Sequence, residues 1–347
     1  TDSKPLTRSR RAGGLRIGGT ALSDTNCAVG QVSMRTLLYK RDCLLRMIRR
    51  MKEEDELMDA VLDGDCAGVV RALARVPASA MSRDGLALVH AAGQGDLEIL
   101  NALLQHGVPP DARQGWAVVE AARFGRNDVL ETLLGWPDES RRPTAGSCGG
   151  QALDWAAANG HLSTVRLLLD WPDRSADAGS GTALVSAART GKVAVMRELL
   201  DRRPDAVACR NGEALIVAST HGHVQAMRLL MVGGGKWRTS GNVRDSEALM
   251  AAARAGHLDA VRFLLCCAEV PLDSLPSPDA RSGEALIWAA ENGHLEVVRL
   301  LLSWPRPVGA LPELKAAVVR AGKWAVRNGH AHVADLLRAC DPLFVIV

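Results

Sequence analysis

The sequence lacks the features that mark several large classes of protein. No run of about 18 or more apolar residues occurs, so we expect no membrane span. The eight cysteines form no CxxC pair and no spaced Cys/His cluster, which argues against structural zinc. No phosphate-binding glycine loop, nucleophile motif or paired carboxylates accompany the histidines, so we expect no catalytic, metal or cofactor site. Aromatic residues are few, which leaves Ala, Leu and Val to build the core, as closely stacked helices require.

What the sequence has instead is repetition. A glycine occurs nine times with an alanine four residues before it and an apolar residue five residues after it, at intervals of 30 to 37 residues. These glycines are Gly64, Gly95, Gly125, Gly160, Gly191, Gly222, Gly256, Gly293 and Gly329. A period near 33 residues is that of a helix-pair repeat, so most of the chain is predicted to be one unit copied and stacked. Such an array offers one long surface, which favours a binding protein over an enzyme.

Each repeat is predicted to hold two helices separated by its glycine. Small residues lie eight, four and usually three positions before the glycine, on one helix face that a neighbouring helix can approach closely. In the seventh repeat they are Ala248, Ala252 and Ala253. The glycine then takes the left-handed conformation without steric cost and ends the first helix. The second helix reads Gly-His-Leu-x-x-Val-Arg-x-Leu-Leu, as at 256–265, and proline stops it in several repeats.

Residues 56 to 340 therefore resemble the ankyrin repeat family, most clearly in QALDWAAANGHLSTVRLLLD (151–170) and GEALIWAAENGHLEVVRLLL (283–302). The resemblance implies an all-α, ankyrin-type solenoid of about nine helix-turn-helix repeats, which would carry a basic N-terminal extension. The family's Thr-Pro-Leu-His opening is absent, and x-Ala-Leu-x stands in its place. Plain loops are therefore an alternative to the family's hairpin-like fingers between repeats.

The chain is predicted to have four parts. They are a flexible basic arm (1–33), a basic amphipathic helix (34–52), the repeat array (53–340) and an apolar tail (341–347). Residues 1 to 52 carry a net charge of +9 and the remainder −6. The amphipathic helix either packs on the first repeat or suits calmodulin or a membrane surface, and the tail packs on the last helices or docks on a partner. Because the sequence begins at Thr1 and not at Met, we expect a fragment or a processed product, and its Arg-rich start is also typical of a transit peptide.

The resemblance places partner binding on the concave face, at the end of the first helix and in the loop before it. Candidate residues one and two positions before the glycine are Arg123, Phe124, Asn159, Arg189, Thr190, His221, Arg254, Asn292 and Arg327. Arginines there can bind carboxylates or phosphates, and they also favour a helix C-terminus without any ligand. Five histidines directly after the glycine are expected to hydrogen-bond the local backbone at the turn: His161, His223, His257, His294 and His330.

A second row of arginines lies six residues past the glycine in five consecutive repeats. It comprises Arg166, Arg197, Arg228, Arg262 and Arg299, on the outer side of the second helix. One interpretation is a solvated face, with Asp259 pairing Arg262 and Glu296 pairing Arg299. The other is contact with RNA or an acidic protein, which would also engage Arg8, Arg10, Arg11, Arg16, Arg46, Arg49 and Arg50 near the N-terminus.

These patterns predict a non-catalytic scaffold that binds a protein partner through its concave ankyrin surface. The alternative is a structural subunit of a large assembly, such as an organellar ribonucleoprotein, with the basic arm against RNA. Scattered cysteines without pairing motifs indicate a reducing intracellular compartment, either the cytoplasm or a mitochondrion or chloroplast.

Overall fold

The structure is a computed structural model that describes residue 52 and residues 55–75, 85–173, 175–206, 212–233, 239–241, 243–271, 275–305 and 311–340. All of these residues belong to one of the two units into which the chain divides, Arg50–Val347. The predicted arm (1–33), the predicted amphipathic helix except for Lys52, and the tail (341–347) lie outside the described residues.

Eighteen helices make up the described part of the chain, in which no strand occurs, and the all-α class is confirmed. They are α1 (55–62), α2 (Cys66–Arg75), α3 (Leu86–Gln94), α4 (Leu97–Gln105), α5 (Ala112–Arg123), α6 (Asn127–Leu134), α7 (Ser147–Asn159), α8 (Leu162–Asp170), α9 (Ser180–Thr190), α10 (Val193–Arg202), α11 (Glu213–Thr220), α12 (Val224–Val232), α13 (Val243–Ala255), α14 (Leu258–Cys266), α15 (Ala280–Glu291), α16 (Leu295–Ser303), α17 (Leu311–Arg327) and α18 (Ala331–Cys340).

The helices form two layers of a solenoid, one from the first helices and one from the second helices of nine repeats. First helices pack on one another from α3 on α5 to α15 on α17, and second helices from α2 on α4 to α16 on α18. The predicted packing face of the first helices is confirmed, because Ala248, Ala252 and Ala253 are fully buried. Side chains this small let neighbouring helices approach closely.

The repeat glycine meets two requirements at once. All nine glycines have φ between 69° and 84°, so the predicted left-handed end of the first helix is confirmed. In the second to eighth repeats, a side chain of the next repeat also occupies the space that a Cβ on the glycine would need. That side chain belongs to the residue directly after the next repeat's own glycine. A Cβ on Gly256 would lie 2.5 Å from the His294 ring.

A hydrogen bond between repeats fixes each junction in the array. The backbone carbonyl two residues before the glycine accepts a hydrogen bond from a side chain of the next repeat, at 2.8 to 3.2 Å. The eight acceptors, in order, are the carbonyls of Leu62, Gly93, Arg123, Ala158, Arg189, Thr220, Arg254 and Glu291, and the donors are Gln94, Arg126, Asn159 with His161, Thr190, His223, His257, His294 and Asn328.

The histidines therefore act across repeats. Four of them, including His161 and His294, place Nε2 at 2.9 to 3.0 Å from a carbonyl of the preceding repeat. Because a carbonyl only accepts, Nε2 must carry the proton and donate it. The expectation of a local acceptor at the turn is wrong for these four histidines. The physical reason is that the ring lies against the repeat glycine of the preceding repeat, which brings Nε2 to the carbonyl two residues before that glycine.

Left-handed turns stand where the family has hairpin fingers. In α5, α7 and α15 the first turn contains three consecutive residues with positive φ, such as Arg281 (49°), Ser282 (57°) and Gly283 (78°). A non-glycine residue in this region costs about 1 to 2 kcal/mol, so contacts must hold it. The next repeat supplies them: Cys148 Sγ donates to the Gln114 carbonyl, and Arg320 donates to that of Ser282.

Replacing Gly256 by alanine tests whether the histidine ring needs the absent Cβ. We expect Gly256→Ala to lower the free energy of unfolding by about 2 to 4 kcal/mol, because backbone strain and a clash with His294 add. Gly107→Ala is the matched control, since Gly107 has φ 89° and no atom within 4 Å of its added Cβ. It should lose only about 1 kcal/mol in urea unfolding. Equal losses would show that the ring does not depend on the glycine.

Candidate interaction surface

All nine residues predicted for the concave surface lie at the end of a first helix or in the cap directly after it. Arg123 is half-buried, and the other eight are exposed. We call this surface, formed by those nine residues with Trp155, Trp288 and Trp324, the groove face. The groove face lies beside the row of carbonyls that joins the repeats. The backbone carbonyls of Arg123, Arg189 and Arg254, for example, each accept a hydrogen bond from a histidine of the next repeat.

Four of the nine predicted side chains also make hydrogen bonds to the backbone. Asn159 Nδ2 donates to the Arg123 carbonyl at 2.9 Å, and Thr190 Oγ1 donates to that of Ala158 at 2.8 Å. Asn292 and His221 bond carbonyls of their own helices at 2.8 and 3.0 Å. Each of these four side chains stabilises the array, which leaves the arginines and Phe124 as the predicted residues that project.

Three of the four arginines lie over aromatic rings. The Arg123 guanidinium is 4.7 Å from the Trp155 ring centroid and 5.4 Å from that of Phe124. Arg254 lies 4.4 Å from Trp288 in the next repeat, and Arg327 lies 5.0 Å from Trp324 in its own. Such cation–π contacts contribute about 0.5 to 1 kcal/mol when exposed, and they restrict the arginine rotamers.

The arginine–tryptophan pairs were not predicted from the sequence. The signal was present in the repeat register, because arginine stands two residues before the glycine of one repeat and tryptophan five residues before the glycine of the next. These positions are 32 residues apart for Arg123 and Trp155 and 34 apart for Arg254 and Trp288. Only an alignment of consecutive repeats brings them together.

Two depressions mark the groove face. One, of about 610 Å³, covers the second and third repeats and is lined by Val89, Arg113, Trp116, Arg123 and Phe124 among others. The other, of about 510 Å³, spans the sixth to eighth repeats with Ile216, Met250, Arg254 and Trp288. Each combines apolar side chains with an arginine of the row, which is the composition of a shallow site for a side chain of a partner.

The outer row of arginines is largely neutralised. Arg166 pairs with Glu198 at 2.9 Å, Arg228 with Glu269 at 2.6 Å, and Arg299 with Glu296 at 3.5 Å as predicted. Within the described residues no ion pair joins Arg262 to Asp259, and Arg197 has none either. The predicted N-terminal contacts, Arg8, Arg10, Arg11, Arg16, Arg46, Arg49 and Arg50, lie outside the described residues.

A four-residue ion network ties the fourth repeat to the fifth. Glu198 accepts hydrogen bonds from Arg166 at 2.9 Å and from Arg202 at 2.8 Å, and Arg202 also donates to Asp170. Partial burial alone would raise the pKa of Glu198, but the two arginines outweigh it and hold the pKa below its usual value. The hydrogen bond from Arg202 likewise lowers the pKa of Asp170.

The described residues contain no group of three or more His, Cys, Asp or Glu side chains that could hold a metal ion. No described helix is both long and apolar enough to cross a membrane. Five of the eight cysteines lie in this part of the chain, and all five are free thiols.

A family model for ankyrin repeats, built of three copies, matches residues 153–237 and again residues 235–316. The matched region contains the glycines of the fourth to eighth repeats. No curated protein matches the chain significantly.

Replacing Glu198 by glutamine tests the ion network. We expect Glu198→Gln to lower the free energy of unfolding by about 1 kcal/mol at pH 7, because two charge-assisted hydrogen bonds weaken. The pKa of Glu198 is lower in the folded state than in the unfolded state, so its ionised form stabilises the fold at pH values above the unfolded-state pKa. This stabilisation is lost as the pH falls through the folded-state pKa. The deficit should therefore shrink below about pH 4 in urea unfolding.

Glu296→Gln is the control, since Glu296 is 67% exposed and meets one arginine at 3.5 Å. It should change stability by no more than a few tenths of a kcal/mol. A deficit for Glu198→Gln that stays constant from pH 7 to acid would contradict an ionic origin.

Proposed function

Because the chain is an ankyrin repeat protein, we propose that it is a non-catalytic scaffold that binds a protein partner through its groove face. Ankyrin repeats indicate a protein-interaction scaffold. The observation that carries the finer proposal is the cluster of Phe124, Arg123 and Trp155, in which one arginine contacts two exposed aromatic rings.

The exposure of these rings needs a reason. Phe124 is 49% exposed and Trp155 is 39% exposed, although aromatic side chains are few in this chain and burial in the core would stabilise the fold. Tryptophan, tyrosine and arginine are enriched among the residues that carry most of the binding energy at protein interfaces. An arginine already stacked on an aromatic ring also loses less side-chain entropy when a partner binds. Both features support protein recognition at this cluster.

The array contributes rigidity to binding. Every junction between repeats has a side-chain hydrogen bond to a backbone carbonyl, so the groove face is formed before the partner arrives. Contacts spread over several repeats then add, and no single one dominates. The four histidines that donate to a carbonyl of the preceding repeat serve this framework.

The alternative, an assembly subunit with RNA against the basic arm, stays a prediction. Its main residues lie outside the described part of the chain, and three of the five outer arginines are already paired with glutamates.

Charge reversal on the groove face tests the scaffold. We expect Arg189→Glu combined with Arg254→Glu to reduce capture of partners from a lysate about tenfold, because two interface contacts worth together about 1.4 kcal/mol or more are lost. Capture is quantified by affinity purification and mass spectrometry, with thermal unfolding measured in parallel. The control combines Arg197→Glu and Arg262→Glu, which lie in the same two repeats on the outer row. Equal capture by both variants would remove the groove arginines from the binding surface.

A further inference from the structure

The groove face has a period of two repeats. Its arginine position, two residues before the glycine, holds Arg123, Arg189, Arg254 and Arg327 in the third, fifth, seventh and ninth repeats. The fourth, sixth and eighth repeats have Ala158, Thr220 and Glu291 there. Positive charge therefore recurs at every second repeat.

A second position alternates in the opposite phase. Five residues before the glycine, the fourth, sixth and eighth repeats hold Trp155, Val217 and Trp288, which are exposed or half-buried. The third, fifth and seventh repeats have Glu120, Ser186 and Ala251 at this position. Trp324 in the ninth repeat departs from the alternation. From the third to the eighth repeat the groove thus presents a cation, then a bulky apolar side chain, then a cation again.

The two positions are in contact where tryptophan is present. Arg123 reaches Trp155, and Arg254 reaches Trp288, each in the following repeat. The edge of a guanidinium is the part that binds a carboxylate through two parallel hydrogen bonds. Stacking leaves that edge available in Arg254, which meets no carboxylate within the described residues, whereas Arg123 already shares its edge with Glu120. In the described residues Arg189 meets no ring or carboxylate and keeps its full charge for a ligand.

Acidic side chains restrict where the partner's carboxylates can lie. Glu120 and Glu291 stand among the arginines, with Glu120 paired to Arg123 at 3.4 Å. Glu247 and Glu284 lie at the other end of their helices, paired to Arg244 at 3.7 Å and Arg281 at 3.8 Å. A nucleic-acid strand carries a charge at every nucleotide and would meet these glutamates as well as the arginines. Widely spaced carboxylates could meet Arg189 and Arg254, which pair with no carboxylate within the described residues, without facing the glutamates.

On the basis of the scaffold function, we propose that the partner binds the groove face as an extended acidic segment in which carboxylates alternate with apolar side chains. Neighbouring helices lie about 8 to 10 Å apart, so arginines two repeats apart are separated by about 16 to 20 Å. An extended chain rises about 3.3 to 3.6 Å per residue, which places the carboxylates about five or six residues apart. The apolar side chains fall midway, over Trp155, Val217 and Trp288.

Fluorescence anisotropy with synthetic peptides tests the spacing. The first peptide has glutamate at every sixth position, leucine midway, and serine and glycine elsewhere. The second has the same composition with all glutamates at one end. We expect the full chain to bind the first peptide about tenfold more tightly than the second, and more weakly as ionic strength rises. Equal binding of the two peptides, or no binding of the first, would overturn the proposal.

Variants on two faces locate the binding. The double variant Arg189→Gln with Arg254→Gln should bind the first peptide about tenfold more weakly than the unchanged chain does. The double variant Arg197→Gln with Arg262→Gln, on the outer row, should bind it with unchanged affinity. A single-stranded uridine oligonucleotide is the third probe. Tighter binding of the oligonucleotide than of the first peptide, lost in the same groove variant, would replace the acidic segment with RNA.

These outcomes are distinct from failure of the scaffold function. If the peptides fail to discriminate while charge reversal on the groove still impairs partner capture, only the acidic segment is wrong. If charge reversal leaves partner capture unchanged, the groove arginines do not belong to the binding surface, and the proposed binding through the groove face is wrong.

Discussion

A hydrogen bond from a side chain of one repeat to a backbone carbonyl of the preceding repeat underlies the whole array. The acceptor is always two residues before the repeat glycine, and such bonds span all eight junctions between the nine repeats, with two of them at the Arg123 carbonyl. Where the donor is histidine, its ring fills the space beside the repeat glycine of the preceding repeat. The left-handed backbone and the close approach of the ring thus demand glycine for two independent reasons. Because each bond connects neighbours only, stability accumulates along the chain from one repeat to the next.

Periodicity predicted what is local and missed what is shared between repeats. The glycine caps and the buried Ala248, Ala252 and Ala253 follow from offsets within one helix pair, where a face of 3.6-residue period is readable. The acceptor of His294 is 40 residues away, so no pattern around the histidine could reveal it. The left-handed turn at Arg281 and Ser282 also escaped prediction, because arginine and serine rarely take positive φ without support from a neighbouring repeat.

The outer arginine row shows why arginines at a regular spacing in the sequence need not form an evenly charged surface. Five arginines recur at one position, but their partners do not: Arg166 meets Glu198 in the next repeat, and Arg228 meets Glu269, 41 residues away. Arg299 pairs within its own helix. Since the glutamates occur at unrelated positions, the surviving positive charge is confined to Arg197 and Arg262 among the described members of the row. A continuous basic face for a phosphate backbone would need all five.

The hydrogen bond that stabilises the array also allows different side chains on the groove face. Two residues before the glycine, only the backbone carbonyl is used, so leucine, glycine, arginine, alanine, threonine and glutamate all occupy that position with the bond intact. One residue later the side chain is itself a donor in several repeats, as in Thr190 and Asn328. Changes at the first position therefore alter recognition at little cost to folding, whereas changes at the second disturb a junction wherever that side chain is the donor. For this reason specificity should reside in the arginine position, and the asparagine and threonine beside it should serve the framework.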